Sequence, residues 1–193
     1  MHMRTASLAL AGLLLTGCAR FGIPKDATQR GLPSFVKVDE GYYRGGQPTD
    51  DGIRRLKAMG IKTIVNLRHH SRETARERKL AESLGMRWVN YPMWFWWKPS
   101  DDQIRAFITL FSSEENRPVF VHCRQGWNRV GIMTAIYRIV YHGWTPERAY
   151  AEGCKLGLAE WNPVSKHLLF EKVPRELEVD SRHAQVERRS PDG

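Results

Sequence analysis

Cys123 and Arg129 are the residues of this 193-residue chain whose types and spacing point most directly to chemistry. They lie in the run Val119-Phe-Val-His-Cys-Arg-Gln-Gly-Trp-Asn-Arg-Val-Gly131, separated by five residues. A thiol is a nucleophile only when ionised, and a helix N-terminus beside cationic side chains favours the ionised form. The run reads as an apolar strand, a loop and an apolar helix. Cys123 is therefore expected just after the strand, with the positive end of the helix aimed at it. The backbone N–H groups from Arg124 to Arg129 can turn toward the same point and cradle a tetrahedral dianion. Arg129 adds a planar guanidinium that offers two parallel hydrogen bonds to the oxygens of such an anion. Gly126 is expected to leave room where a side chain would block the anion, and Gly131 to let the helix pack close to its strand. Arg124, Gln125, Trp127 and Asn128 complete the loop as candidate binding residues. His122 either orders the loop through hydrogen bonds to backbone or tunes the thiolate.

The elements needed to position this loop are legible on either side of it. Short strands are expected at Phe35–Val38 and Tyr42–Arg44 around a Glu40-Gly41 turn. Thr49 can cap a helix through Ile53, Leu56 and Met59, stopped by Gly60. Ile61–Leu67 is apolar and β-branched and reads as a buried strand. A charged helix over Arg72–Leu84 leads to a strand at Met86–Tyr91. Ser100 and Gln103 form a capping box for a helix whose apolar face is Ile104, Phe107, Ile108 and Phe111. Val119–Val121, a helix over Arg129–Tyr141, a helix opened by Thr145-Pro146 and a short one over Asn162–Lys172 finish the order. Strands alternating with helices predict an α/β fold, a central mostly parallel sheet flanked by helices.

The N-terminus has a separate logic. Arg4, the apolar run Ala6–Leu15 and the ending Leu15-Thr-Gly-Cys18 describe a secretory signal, and the run is too short to span a membrane as a mature helix. The ending resembles the bacterial lipobox, which implies that Cys18 is lipidated. With Ala19 after it, the resemblance implies an outer-membrane anchor facing the periplasm. The expected organisation is a signal peptide over 1–17, a lipidated tether over 18–34, a catalytic domain over 35–173 and a flexible tail over 174–193. Of the other cysteines, Cys123 belongs to the loop. Cys154 is either a small buried hydrophobe on a helix or a resolving thiol that protects Cys123 from over-oxidation. The formal net charge of +9 favours acidic partners or simply solubility. It is spread along the chain rather than gathered in one run, and no nucleic-acid partner is expected.

His122-Cys123-x5-Arg129 resembles the signature of the cysteine-dependent protein tyrosine phosphatases. The segments Tyr43-Arg-Gly-Gly-Gln-Pro48, Gly60-Ile-Lys-Thr-Ile-Val-Asn-Leu-Arg68 and Asn90-Tyr-Pro-Met93 resemble the entry motif, first core strand and acid loop of the bacterial and fungal dual-specificity-like branch. Together the matches cover about residues 35–160. The resemblance implies a cysteine-phosphatase fold, no metal and no other cofactor, and phosphorylated proteins or small phosphate esters as partners. It also implies two steps: Cys123 takes the phosphoryl group, and water then hydrolyses the cysteinyl-phosphate.

Two features depart from that family's pattern. Val130 stands where the family has a Ser or Thr whose hydroxyl helps the second step, so slow breakdown of the intermediate is expected. The loop over 92–99 contains no carboxylate to act as general acid. Asp101 is the first choice for that acid and Asp102 the second, while both also suit the dipole at a helix N-terminus. These departures keep open a rival reading, a pseudophosphatase that binds phosphorylated ligands without turnover. A sulfurtransferase of rhodanese type is disfavoured by the Cys-x5-Arg spacing. The Trp94-Phe-Trp-Trp97 run reads as a wall beside the site, a membrane-surface contact or loop packing. Arg68, His69 and His70 read as added positive potential or as solvated surface.

Overall fold

A five-stranded sheet runs through the computed structural model, which describes residues 30–94 and 99–173. In chain order the elements are β1 (Val36–Asp39), β2 (Tyr42–Gly45), α1 (Asp50–Ala58), β3 (Thr63–Asn66), α2 (Arg72–Ser83) and β4 (Arg87–Asn90). There follow α3 (Asp101–Ser112), a 3-10 turn (Glu114–Asn116), β5 (Val119–His122), α4 (Asn128–His142), α5 (Pro146–Lys155) and α6 (Pro163–His167), which continues as a π turn (Leu168–Lys172). The sheet order is β1-β2-β5-β3-β4. β2, β5, β3 and β4 are parallel, and β1 pairs antiparallel with β2 at the edge. The fold is therefore the expected α/β class.

Helix starts follow the sequence closely because their caps are local. Thr49, Ser71, Ser100 and Thr145 each accept a backbone N–H from the first turn of the following helix. Ser71 with Thr74 and Ser100 with Gln103 form reciprocal capping boxes. Met59 departs from its expected place on the apolar face of α1. It is the C-cap residue and is 38% exposed, because the helix has already ended at Ala58.

Alternation along the central strands splits the core in two. Val65, Val119 and Val121 face α3 and α4 together with Phe107, Met133 and Ile136. Ile64 and Phe120 face the other side with Ile53, Leu56 and Ala81. β5 is buried along its whole length and sits between β2 and β3. Leu32, expected within the tether, is buried in the second cluster, and Gly31 accepts the backbone N–H of Thr49 at 2.9 Å. The signal segment, Cys18, Phe95 to Trp97 and the tail after residue 173 lie outside the described residues.

Candidate active site

All four parallel strands end at the same edge of the sheet. In register with His122, the last residue of β5, are Gly45 on β2 and Asn66 on β3. In open parallel sheets this carboxyl edge is where ligands bind. Cys123 is the next residue, 3% exposed and at the centre of the edge. Its Sγ accepts the backbone N–H of Gly126 at 3.3 Å, so the loop does curl around the sulfur. α4 begins at Asn128 and points its N-terminus at the same place.

The loop is fixed from below by β2 and its continuation. Gly126 has φ +80°, and a Cβ there would lie 2.6 Å from the backbone of Gly45 and Gly46. Glycine is thus required by close backbone packing and by a left-handed conformation, not by the space the anion needs. Gly131 is also explained differently from expectation: a Cβ there would lie 3.3 Å from Leu158, in the segment after α5, so its closest approach is not to a strand. Gln47 N donates to Arg124 O at 3.1 Å and Cys123 N to Gly45 O at 3.4 Å. Arg44, fully buried, donates from Nη2 to Gly126 O at 2.7 Å and to Trp127 O at 3.4 Å. These carbonyls are therefore turned away from the sulfur, which leaves the amide side of the loop facing it.

Arg129 lies beside the loop, half-buried. Its Nη1 donates to Leu67 O, just after β3, and to Met93 O, three residues after β4, both at 3.3 Å. One nitrogen of the guanidinium thus anchors it to the loops that leave the neighbouring strands. Arg124, Gln125 and Trp127 are exposed, as a binding rim requires. Trp127 Nε1 donates to Ser34 Oγ at 3.2 Å. Asn128 has a structural task, accepting Ala159 N at 2.7 Å.

His122 is completely buried and does more than bond backbone. Its Nδ1 lies 3.3 Å from Cys123 O and its Nε2 2.9 Å from Glu77 Oε1. Glu77 is the residue that sequence reasoning missed. On the inner face of α2, its carboxylate also accepts Trp88 Nε1 at 2.7 Å, Asn66 Nδ2 at 3.1 Å and Gln47 Nε2. Burial alone would raise the Glu77 carboxyl, but His122, Gln47 and Trp88 hold it below the usual carboxylate range. The spacing of Thr74, Glu77 and Ala81, the buried residues of α2, is the faint signal that could have marked it.

The opposite flank is looser. Asp101 is the first residue of α3 and is half-buried. Gln103 Nε2 donates to Pro92 O at 2.9 Å, tying the start of α3 to the loop after β4, next to the carbonyl that holds Arg129. Asp102 is exposed and pairs with Arg105 at 2.7 Å. Val130 is wholly buried in the core of α4. Arg68 turns into the α2 network, bonding Glu73 at 2.6 Å, and the His69 ring lies tilted against the exposed Trp94, 4.0 Å between ring centroids. Cys123 and Cys154 are not joined in a disulfide, and Cys154 is half-buried on α5. Two clefts, of about 460 and 410 Å³, lie elsewhere, one between the β2–α1 turn and α2, the other at the amino edge of the sheet. Neither is lined by Cys123 or Arg129.

Comparison with known proteins agrees with this geometry. Residues 25–173 match the family described as a DSP-PTPase phosphatase fused to NAD+ kinase. The chain is 27% identical over 119 residues to the dual specificity protein phosphatase TpbA of Pseudomonas aeruginosa, covering 62% of this chain and 52% of that one. It is 29% identical over 101 residues to the chloroplastic NAD kinase 2 of Arabidopsis thaliana, covering 50% of this chain and 10% of that one. The matched region thus spans about half the length of the bacterial relative and a tenth of the plant one. The crystal structure of P. aeruginosa TpbA in complex with phosphotyrosine has the same fold, with a TM-score of 0.65 at 18% identity over 80% of this chain and 98% of that one.

Proposed function

Because this chain belongs to the DSP-PTPase phosphatase family whose description includes fusion to NAD+ kinase, we propose that it hydrolyses phosphate monoesters through a cysteinyl-phosphate on Cys123. The observation that carries this reading is the bend from Cys123 to Arg129, which curls an amide onto the sulfur and starts a helix behind it. The Cys123 thiolate attacks phosphorus, and the P–O bond to the leaving group breaks as the S–P bond forms. The loop amides and Arg129 hold the equatorial oxygens, where charge accumulates. Asp101 gives its proton to the departing oxygen, then takes one from the water that cleaves the S–P bond. That restores the thiolate and releases inorganic phosphate.

The substrates we propose are phosphotyrosine-type protein esters and small phosphate esters. The basic, aromatic rim of Arg124 and Trp127 supports them, as does the phosphotyrosine bound to the related TpbA. The reading also places the domain at the outer membrane through lipidated Cys18, on the strength of the Leu15-Thr-Gly-Cys18 run. Metabolic labelling with a fatty-acid analogue, lost in Cys18→Ser, tests that placement.

The pseudophosphatase reading is kept alive by one observation, a wholly apolar Val130 where the second step would use a hydroxyl. Hydrolysis of p-nitrophenyl phosphate by wild type and Cys123→Ser separates the two. Turnover that falls by at least about 10⁴-fold in the variant is expected of the enzyme, whereas binding of phosphate with no wild-type turnover overturns the hydrolase reading.

A further inference from the structure

Arg44 is fully buried beneath the Cys123 loop, and among the described residues its Nε and Nη1 have no hydrogen-bond partner. A guanidinium does not give up its proton in a protein, and a buried charge without a counter-charge is costly. Its two bonds run to carbonyls, of Gly126 and Trp127, which supply dipoles but no charge. Burial draws the guanidinium below the usual arginine range, while Tyr42, Cys123 and Glu152 oppose that shift. Of these three, Tyr42 remains a neutral phenol, since burial pushes its hydroxyl up and outweighs the opposing bond with Thr134 at 2.7 Å. Glu152 is already paired with Arg138 at 2.8 and 3.1 Å. The Cys123 sulfur is left as the group able to balance the charge.

We propose that Arg44 is a positioning residue, an internal counter-cation that holds Cys123 as the thiolate and pins the Gly126 and Trp127 carbonyls away from the anion site. The proposal rests on the cysteine-nucleophile reading above. Each neighbouring element brings its own charge to Cys123. β5 brings His122, whose Nε2 is hydrogen-bonded to Glu77 on α2 at 2.9 Å. α4 brings Arg129, whose exposed side can face a phosphate. Arg124 is solvated and Arg68 is engaged with Glu73. Arg44 alone among these approaches from beneath the loop on β2, which keeps it at its post whether or not a substrate is bound. The conformation of the strand supports this, because Gly45 and Gly46 on its C-terminal side meet Gly126 backbone to backbone.

The rate of Cys123 alkylation by iodoacetamide, followed against pH, reads the sulfur without requiring turnover. Arg44→Met is expected to move that profile up by about one pH unit, and Arg44→Lys to recover at least half of the shift. In parallel, kcat/KM at pH 6 should fall about tenfold in Arg44→Met and less in Arg44→Lys. A folded Arg44→Met with the wild-type alkylation profile overturns the proposal, as does an Arg44→Lys no better than Arg44→Met. Should Arg44→Met not fold, Arg44→Gln takes its place in the same titration. The thermal midpoint of the wild type relative to Cys123→Ser gives a reading that leaves Arg44 intact. Wild type should gain on the variant as pH rises from 5 to 8, because only an ionisable group at 123 can come to balance the guanidinium, and parallel curves sink the idea. A shifted alkylation profile in a protein that never hydrolyses phosphate esters would instead fault the hydrolase reading and leave the role of Arg44 standing.

Discussion

Beneath Cys123, α2 presents a buried carboxylate that is bonded several times over and β2 a backbone locked against the loop, whereas on the side of α3 the proposed acid is a half-exposed carboxylate at a helix start. Glu77 takes donors from four residues, and Gly126 is locked against Gly45 and Gly46. Asp101 sits on the first turn of α3, positioned through Ser100, Gln103 and Pro92, and Asp102 is turned to Arg105. Under the proposed mechanism the contrast follows from what each flank would do. A thiolate and an anion cradle act through fixed dipoles, which lose their advantage if they must reorganise during the reaction. A proton donor must instead meet leaving groups of different shape, and needs exposure to exchange its proton with water.

The largest effect that would sharpen this contrast lies on the buried flank. Glu77→Ala strips His122, Trp88, Asn66 and Gln47 of a common acceptor and is expected to cost about 3–5 kcal/mol in urea unfolding. The same carboxyl makes stability pH-dependent in a definite direction. Because the fold holds it below the usual range, its contribution is present above the unfolded value of about 4.3 and is lost as pH falls through the folded value. Acid unfolding monitored by circular dichroism should show that loss in wild type and not in Glu77→Ala. A variant as stable as wild type at pH 7 would erase the distinction between the two flanks.

On the exposed flank the effects should appear in rate rather than stability. Asp101→Asn is expected to slow hydrolysis of an alkyl phosphate by about 10²-fold, with a smaller loss on p-nitrophenyl phosphate, whose leaving group needs less help. Asp102→Asn should leave both rates unchanged, since its carboxylate is spent on Arg105. Steady-state assays with the two substrates decide this, and full activity in both variants would remove the general acid from this helix. The smallest effect is expected at Val130, between the flanks. Val130→Thr should speed breakdown of the cysteinyl-phosphate about tenfold, roughly 1.4 kcal/mol of barrier, as measured by rapid quench. No gain in that step would mean that a hydroxyl there has nothing to assist.

Much of the frame is legible from local chemistry. The capped helix starts at Thr49, Ser71, Ser100 and Thr145 need only neighbours three residues away, which is why sequence and structure agree on them. The parallel sheet follows from the alternation of strands and helices. Glycines are harder to interpret. Gly126 is correctly marked as necessary, but its reason, contact with Gly45 and Gly46 some eighty residues earlier, cannot be seen in the loop itself.

What the sequence determined by itself is the candidate nucleophile, its loop and the helix behind it, because Cys123, Arg129 and the amides between them are close in the chain and their mutual geometry is set by one strand–loop–helix turn. The tertiary structure decided which charges surround that turn. Nothing local to Glu77 or Arg44 names its partner, and only the pairing of β2 and β3 on either side of β5 brings one onto His122 and the other beneath Gly126. Coulomb energies in a buried site depend on distance and on exclusion of water, and neither is written in the order of residues along the chain.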